Sequence, residues 1–284
     1  MTSRALVLGA GANSGFAWEW GVLTGLHDAG VKLVDADLIV GTSSGAMVGA
    51  QLTSGVDPHQ LLQVLLTSPR PPDDGGATAR GHNRYTDELR RLAADSDDPK
   101  KIMAGLGAMA ATTDTALPEP VLRKTITHHL LASDWPRQRL VITAVDAESG
   151  ELAVFDRDTG ASLLDALTAT HSLPGIWPPV AVGDRRYIDG CVRSPTNVDL
   201  AAGHDRVVVL APMADTPHMP GSNVLEQVEP LREHARVEVV QPDESARAAI
   251  DETTQGGSRM AAVTRAGIAQ AASLVESLGA LWQD

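Results

Sequence analysis

The sequence predicts an α/β fold with a mostly parallel central sheet and helices on its faces. Three observations carry that expectation. Apolar runs at Arg4-Ala-Leu-Val-Leu8 and Leu38-Ile39-Val40 each stop at a glycine and give way to a helical pattern. Strand–helix–strand–helix order of this kind favours parallel pairing with helical crossovers. After a helix-rich middle, strand signals return from residue 139 and include Asp205-Arg-Val-Val-Val-Leu210, a further buried strand.

Taken in order, Arg4–Leu8 is a buried strand that ends in Gly9-Ala-Gly11-Ala-Asn-Ser-Gly15. Phe16–Ala29 reads as a helix because Ala17, Trp20, Leu23 and Leu26 recur at helical spacing, and Gly30 stops it. The second strand falls near Asp37–Val40, followed by a helix from about Ser44 to Leu52. Ser68-Pro-Arg-Pro-Pro-Asp-Asp-Gly-Gly76 is turn-rich and expected to be irregular. Helical stretches at Thr86–Ala94, Lys101–Thr112 and from Pro118 to about Leu131 make residues 69–132 a helical insertion covering the sheet. Arg139–Val145 and Glu151–Asp156 flank Asp146-Ala-Glu-Ser-Gly150, a hairpin signal. Leu163–Thr170 is a helix and Leu173–Pro179 a proline-stiffened loop; a turn at Asp184-Arg185 precedes a strand end at Tyr187-Ile188. Val237–Val240 is a last strand, and Glu244–Ile250 and Met260–Leu281 are helices.

Composition narrows the function. With 284 residues and 43% hydrophobic content the chain can bury a sizeable core, built mainly from aliphatic side chains because aromatics make up only 3%. A net charge of −13 argues against nucleic acid as a partner and leaves at most peripheral membrane contact. The single cysteine, Cys191, excludes an internal disulfide and any cysteine-cluster metal site. The start of the chain lacks the pattern of a secretory leader, and no window is apolar enough to span a bilayer. A cytoplasmic location fits, although an exported protein without disulfides would look the same, and neither cofactor nor metal is expected.

Gly41-Thr42-Ser43-Ser44-Gly45 places a serine between glycines where a strand turns into a helix. Such a bend strains the backbone and lifts its central side chain clear of the sheet, beside the unpaired amides of the helix start. Ser43 is the candidate nucleophile; the alternative is a plain strand–helix turn. Ser44 stands one residue late and suits a capping role. Two readings of the first glycine loop compete. A pyrophosphate seat would need an acidic residue after the second strand, where Gly41 stands, while Asp35 and Asp37 precede that strand. An oxyanion hole needs only converging backbone N–H groups.

A serine needs a base. Asp189 follows an apolar strand end and precedes a glycine, so its carboxylate could reach the crevice at the strand ends, although Asp-Gly is also an ordinary turn. A Ser-Asp-His order could draw on His204, His218 or His234, none of which sits in an informative local motif.

Together, a glycine-rich strand–helix loop near the N-terminus, Gly-x-Ser-x-Gly about 30 residues later and a distant Asp-Gly resemble the patatin-like phospholipase family. Trp18-Glu-Trp-Gly-Val-Leu23 and Pro174-Gly-Ile-Trp-Pro-Pro179 are similar to a bacterial branch of it. The resemblance implies one domain over residues 1–284 with a three-layer α/β/α fold. It implies a Ser–Asp dyad without histidine, in which Ser43 is the nucleophile and Asp189 the base. The N–H groups around Gly9, Ala10, Gly11 and Ala12 would form the oxyanion hole. The implied reaction is hydrolysis of a lipid or other acyl ester through an acyl-serine intermediate. Acyl transfer is known on the same fold, and a lipid-binding protein with weak turnover is a further alternative. Three positions depart from the family pattern: Ala10 replaces a glycine, Ser14 stands where Arg or Lys is usual, and Cys191 follows Asp189-Gly190.

Overall fold

The computed structural model describes residues 2–67, 76–112, 115–256 and 260–283. Its centre is an eight-stranded sheet. Strands β1 (Arg4–Leu8), β2 (Leu38–Thr42), β3 (Arg139–Asp146), β7 (Arg206–Leu210) and β8 (Arg236–Val240) pair in parallel in the order β3-β2-β1-β7-β8. Beyond β3 the sheet turns antiparallel, through β4 (Leu152–Phe155), β6 (Arg185–Asp189) and β5 (Val180–Val182). The parallel strands read as near-continuous apolar runs because both faces are covered. Along β1, Leu6 and Leu8 enter one core and Ala5 and Val7 the other.

The larger core is closed by α1 (Ala12–Asp28), α2 (Ser44–Leu52), α7 (Leu163–Thr170) and α10 (Met260–Gln283), with α3 (Pro58–Thr67), α6 (Glu119–His129) and α9 (Glu244–Gly256) around them. At Gly21 a Cβ would lie 2.2 Å from the carbonyl of Thr264, so α1 and α10 meet backbone to backbone. The opposite face is covered by α8 (Val224–Arg232) and the short helical turn Val198–Ala201. Three layers result, α/β/α. Among the described residues no helix is long and apolar enough to cross a membrane.

The stretch read as one insertion divides in two. Helices α4 (Ala77–Asp95) and α5 (Pro99–Thr112) build a third core with Val145 of β3, Ile188 of β6 and Val192. They cover the antiparallel end of the sheet. Helix α6 instead joins the main layer through Leu122 and Ile126, and Arg123 pairs with Asp165 of α7 at 2.7 Å. The expected irregular segment 68–76 lies, up to residue 75, outside the described residues.

Candidate active site

Only Ser43 separates β2 from α2. Its φ of 52° and ψ of −122° lie where a residue with a Cβ seldom rests, at a cost of about 1–3 kcal/mol. Three contacts hold it there. The Ser43 N–H donates to Thr170 Oγ1 at 2.8 Å, and the Ser43 carbonyl accepts from the Ala46 N–H at 3.0 Å. Gly45 brings α2 against β1 so closely that a Cβ would sit 2.2 Å from the Leu8 carbonyl oxygen.

The sheet delivers the acid. β4 occupies one edge of β3 along residues 142–145, so β2 and β6 must share the other edge. β2 pairs there up to Thr42↔Thr143, and β6 takes over at Asp189↔Ala144. Where one neighbour leaves and the next arrives, Ser43 and Asp189 meet. Ser43 Oγ donates to Asp189 Oδ2 at 2.8 Å, and the Cys191 N–H donates to Oδ1 at 2.9 Å. Asp189 is only 2% exposed. Burial raises its pKa to about 6, against the opposing pull of the hydrogen bonds from Cys191 and Ser43. A hydroxyl bonded to a carboxylate of this basicity has the geometry for proton transfer near neutral pH.

A buried polar brace fixes the same corner. Asn197, with φ of 48° and no exposure, donates through Nδ2 to Thr42 Oγ1 at 3.0 Å and to the Ser194 carbonyl at 2.8 Å. Thr42 and Thr143 hydroxyls lie 2.9 Å apart across the strand pair. Asn197, Thr170 and Glu19 carry no sequence signal of a site role, because their partners lie far along the chain.

The glycine loop departs from expectation. The Gly9 N–H is shared by the Leu210 carbonyl at 3.0 Å and Glu19 Oε1 at 2.9 Å. The Ala10 N–H donates to the Pro195 carbonyl at 2.8 Å, and the Gly11 N–H to Ser44 Oγ at 2.9 Å. Enclosed backbone amides take partners, and here the surrounding loops supply them. Of the four predicted donors, only Ala12 keeps an N–H with no acceptor among the described residues; Asn13, next on the first turn of α1, keeps another. Ser44 is thus the clamp of the glycine loop. Glu19 is fully buried, and burial holds its pKa well above the usual carboxylate range, against the hydrogen bond from the Gly9 N–H.

Among the described residues no histidine bonds to Asp189, whose hydrogen-bond partners are Ser43 Oγ and the Cys191 N–H. His204 Nδ1 turns to the Ala201 carbonyl, and His234 is a surface residue. His171 follows Thr170 and donates from Nδ1 to the Leu167 carbonyl at 2.7 Å; burial lowers its pKa to about 4, so it is neutral. Asp146 caps the β3–β4 turn and pairs with Arg185. Trp177 packs on the main core, and Met103 and Met109 on the α4–α5 core. Burial pushes the Cys191 thiol up, the opposite of an activated thiolate. Among the described residues no cluster of His, Cys, Asp and Glu could hold a metal.

VipD from Legionella pneumophila aligns over 97% of this chain and 67% of its own, at 16% identity and a TM-score of 0.45. The type III effector ExoU aligns over 97% of this chain and 53% of its own, at 17% identity and 0.39. Full-length ExoU from Pseudomonas aeruginosa, in complex with SpcU, gives 100%, 53%, 17% and 0.41. The chain thus spans about half the length of ExoU. A family profile described as patatin-like phospholipase matches residues 6–202, more than half of the chain and the stretch that holds both Ser43 and Asp189. The chain belongs to the patatin-like phospholipase family.

Proposed function

We propose that this protein is a serine acyl hydrolase that cleaves carboxylic esters of lipids through a Ser43–Asp189 dyad. The observation that carries the reading is the 2.8 Å hydrogen bond from Ser43 Oγ to a buried carboxylate with no histidine between them. Asp189 takes the Ser43 proton as Ser43 Oγ attacks the ester carbonyl carbon. The tetrahedral oxyanion is received by the Ala12 and Asn13 amides at the start of α1. Its collapse breaks the ester bond, and Asp189 protonates the departing alcohol. Water then enters, gives its proton to Asp189 and attacks the acyl carbon; as the Ser43 Oγ–acyl bond breaks, Asp189 returns that proton to Ser43 Oγ and the acid leaves. The family match supports the lipid substrate class, and the whole chain 1–284 acts as one domain in this reading.

A second reading, a lipid-binding protein with weak turnover, has one observation in its favour: the Gly9, Ala10 and Gly11 amides are already engaged. A fluorophosphonate probe separates the two. An active dyad adds one phosphonyl group to Ser43, visible by intact mass and peptide mapping, and neither Ser43→Ala nor Asp189→Asn labels or hydrolyses a p-nitrophenyl ester. Wild-type protein that stays unlabelled and inert refutes the hydrolase. Product analysis with an added acceptor alcohol tests for acyl transfer.

A further inference from the structure

Glu19 is a fully buried carboxyl that the Ser43–Asp189 chemistry does not use. It stands one turn after Gly15 on the same face of α1. That face is pressed onto the glycine loop and its surroundings: a Cβ at Gly15 would lie 3.0 Å from Pro212 Cβ, and a Cβ at Gly11 2.6 Å from the Gly15 Cα. From there Glu19 Oε1 reaches back ten residues to accept the Gly9 N–H at 2.9 Å. Glu19 Oε2 has no hydrogen-bond partner among the described residues. The bond to Oε1 is redundant for the backbone, because the Gly9 N–H already donates to the Leu210 carbonyl at 3.0 Å. A buried carboxyl with one oxygen unpaired costs stability, and this one relieves no orphan donor in return.

The loop has a use for the extra tie. Ala12 holds a φ of 49°, where a residue with a Cβ seldom rests, and no side chain caps the start of α1 at Gly11. A strained first turn keeps its place only when its surroundings over-determine it. Ser44 Oγ holds the Gly11 N–H and the Pro195 carbonyl the Ala10 N–H, both from outside the helix. Glu19 adds a tie from α1 itself, across the stretch that carries the Ala12 and Asn13 amides. We infer that Glu19 is a positioning residue of the oxyanion site: it straps α1 to the end of β1 and so keeps those two amides aimed at the oxyanion. The inference rests on the Ser43–Asp189 reading above. Glu19 acts through the loop and not on the substrate.

Two substitutions test this. Glu19→Met keeps an unbranched side chain of similar length and deletes the carboxyl. Its kcat on p-nitrophenyl butyrate should fall at least about tenfold with KM within about twofold, since misaimed amides weaken the transition state and leave substrate binding alone. The same variant should melt at or above wild type, because the half-paired buried carboxyl is gone. Glu19→Gln keeps the Oε1 acceptor in the same shape and should hold kcat within about threefold of wild type. A Glu19→Met protein with the kcat of wild type overturns the inference. So does one that melts below wild type or fails to fold, which marks a structural role, and so does a Glu19→Gln protein as impaired as Glu19→Met. Wild-type protein that fails to label with the fluorophosphonate at Ser43 rejects the dyad itself and takes this inference with it; labelled wild type beside an unimpaired Glu19→Met rejects the inference alone.

Discussion

Asp189→Asn should stabilise the fold above about pH 6 while it abolishes turnover. Burial raises Asp189 to about 6, against about 3.9 for an aspartate in an unfolded chain. This is the reverse of a salt-bridged carboxylate: the native state binds the proton more tightly than the unfolded state. Below the unfolded value both states are protonated and ionisation costs nothing. As pH rises through the interval and past about 6, the native chain must ionise a buried group and stability is lost. A shift of about two units, at about 1.4 kcal/mol each, amounts to about 3 kcal/mol. At 2% exposure solvent offers little screening to reduce that figure. Asparagine keeps the contacts without the charge: its carbonyl accepts from the Cys191 N–H, and its amide faces Ser43 Oγ. The variant should therefore melt about 6 °C above wild type at about pH 8, and the gap should close at about pH 4. Paired thermal melts across that range are sufficient, since every other titrating group is common to both proteins. A variant that melts at or below wild type at the upper pH, or a gap that persists unchanged at the lower, would refute the argument.

The same pKa sets the rate profile: kcat/KM on a p-nitrophenyl ester should rise with pH and reach half its plateau near 6, and a profile flat across that value removes Asp189 as the base. Gly45→Ala forces a methyl to within 2.2 Å of the Leu8 carbonyl oxygen and should destabilise by at least about 3 kcal/mol, read as a lower urea midpoint. Thr170→Val keeps the side-chain shape but leaves the buried Ser43 N–H without its acceptor; a loss of about 1–3 kcal/mol is expected in urea unfolding, with slower phosphonylation of Ser43.

What could be read from the sequence was local. Gly41 and Gly45 around Ser43 announce a bend because close packing leaves no room for side chains, and an acid at an apolar strand end announces Asp189. Helices α2 and α7 run over the residues expected of them, Ser44–Leu52 and Leu163–Thr170. Helix α1 starts at Ala12, four residues ahead of Phe16, because the glycine loop coils directly into its first turn without a capping side chain. Helix α8 was hidden by Pro230 in its last turn, and β5 by its three-residue length directly after Pro178 and Pro179. The free amides of the glycine loop were not legible at all. Which of them are free depends on the carbonyls of Pro195 and Leu210, nearly two hundred residues away, and on Ser44 Oγ.

The α4 and α5 helices are more than a cover in this arrangement. Asp189 reaches Ser43 only because β6 pairs with β3 in the register Ala144↔Asp189 and Val145↔Ile188. A slip of one residue would turn the Asp189 carboxylate to the opposite face of the sheet. β6 is five residues long and pairs with β3 over three of them, so the backbone ladder alone specifies the register weakly. Side-chain burial supplies the rest. Val145, Ile188 and Val192 are fully buried against Leu89, Ile102 and Leu106 of α4 and α5, and a slip would take Ile188 out of that apolar core while driving its carboxylate neighbour, Asp189, into it. Each exchange opposes the slip by roughly the 1.5–3 kcal/mol of one aliphatic side chain, and more for the carboxylate. The part of the chain with the least recognisable sequence therefore fixes the register on which the two recognisable motifs depend.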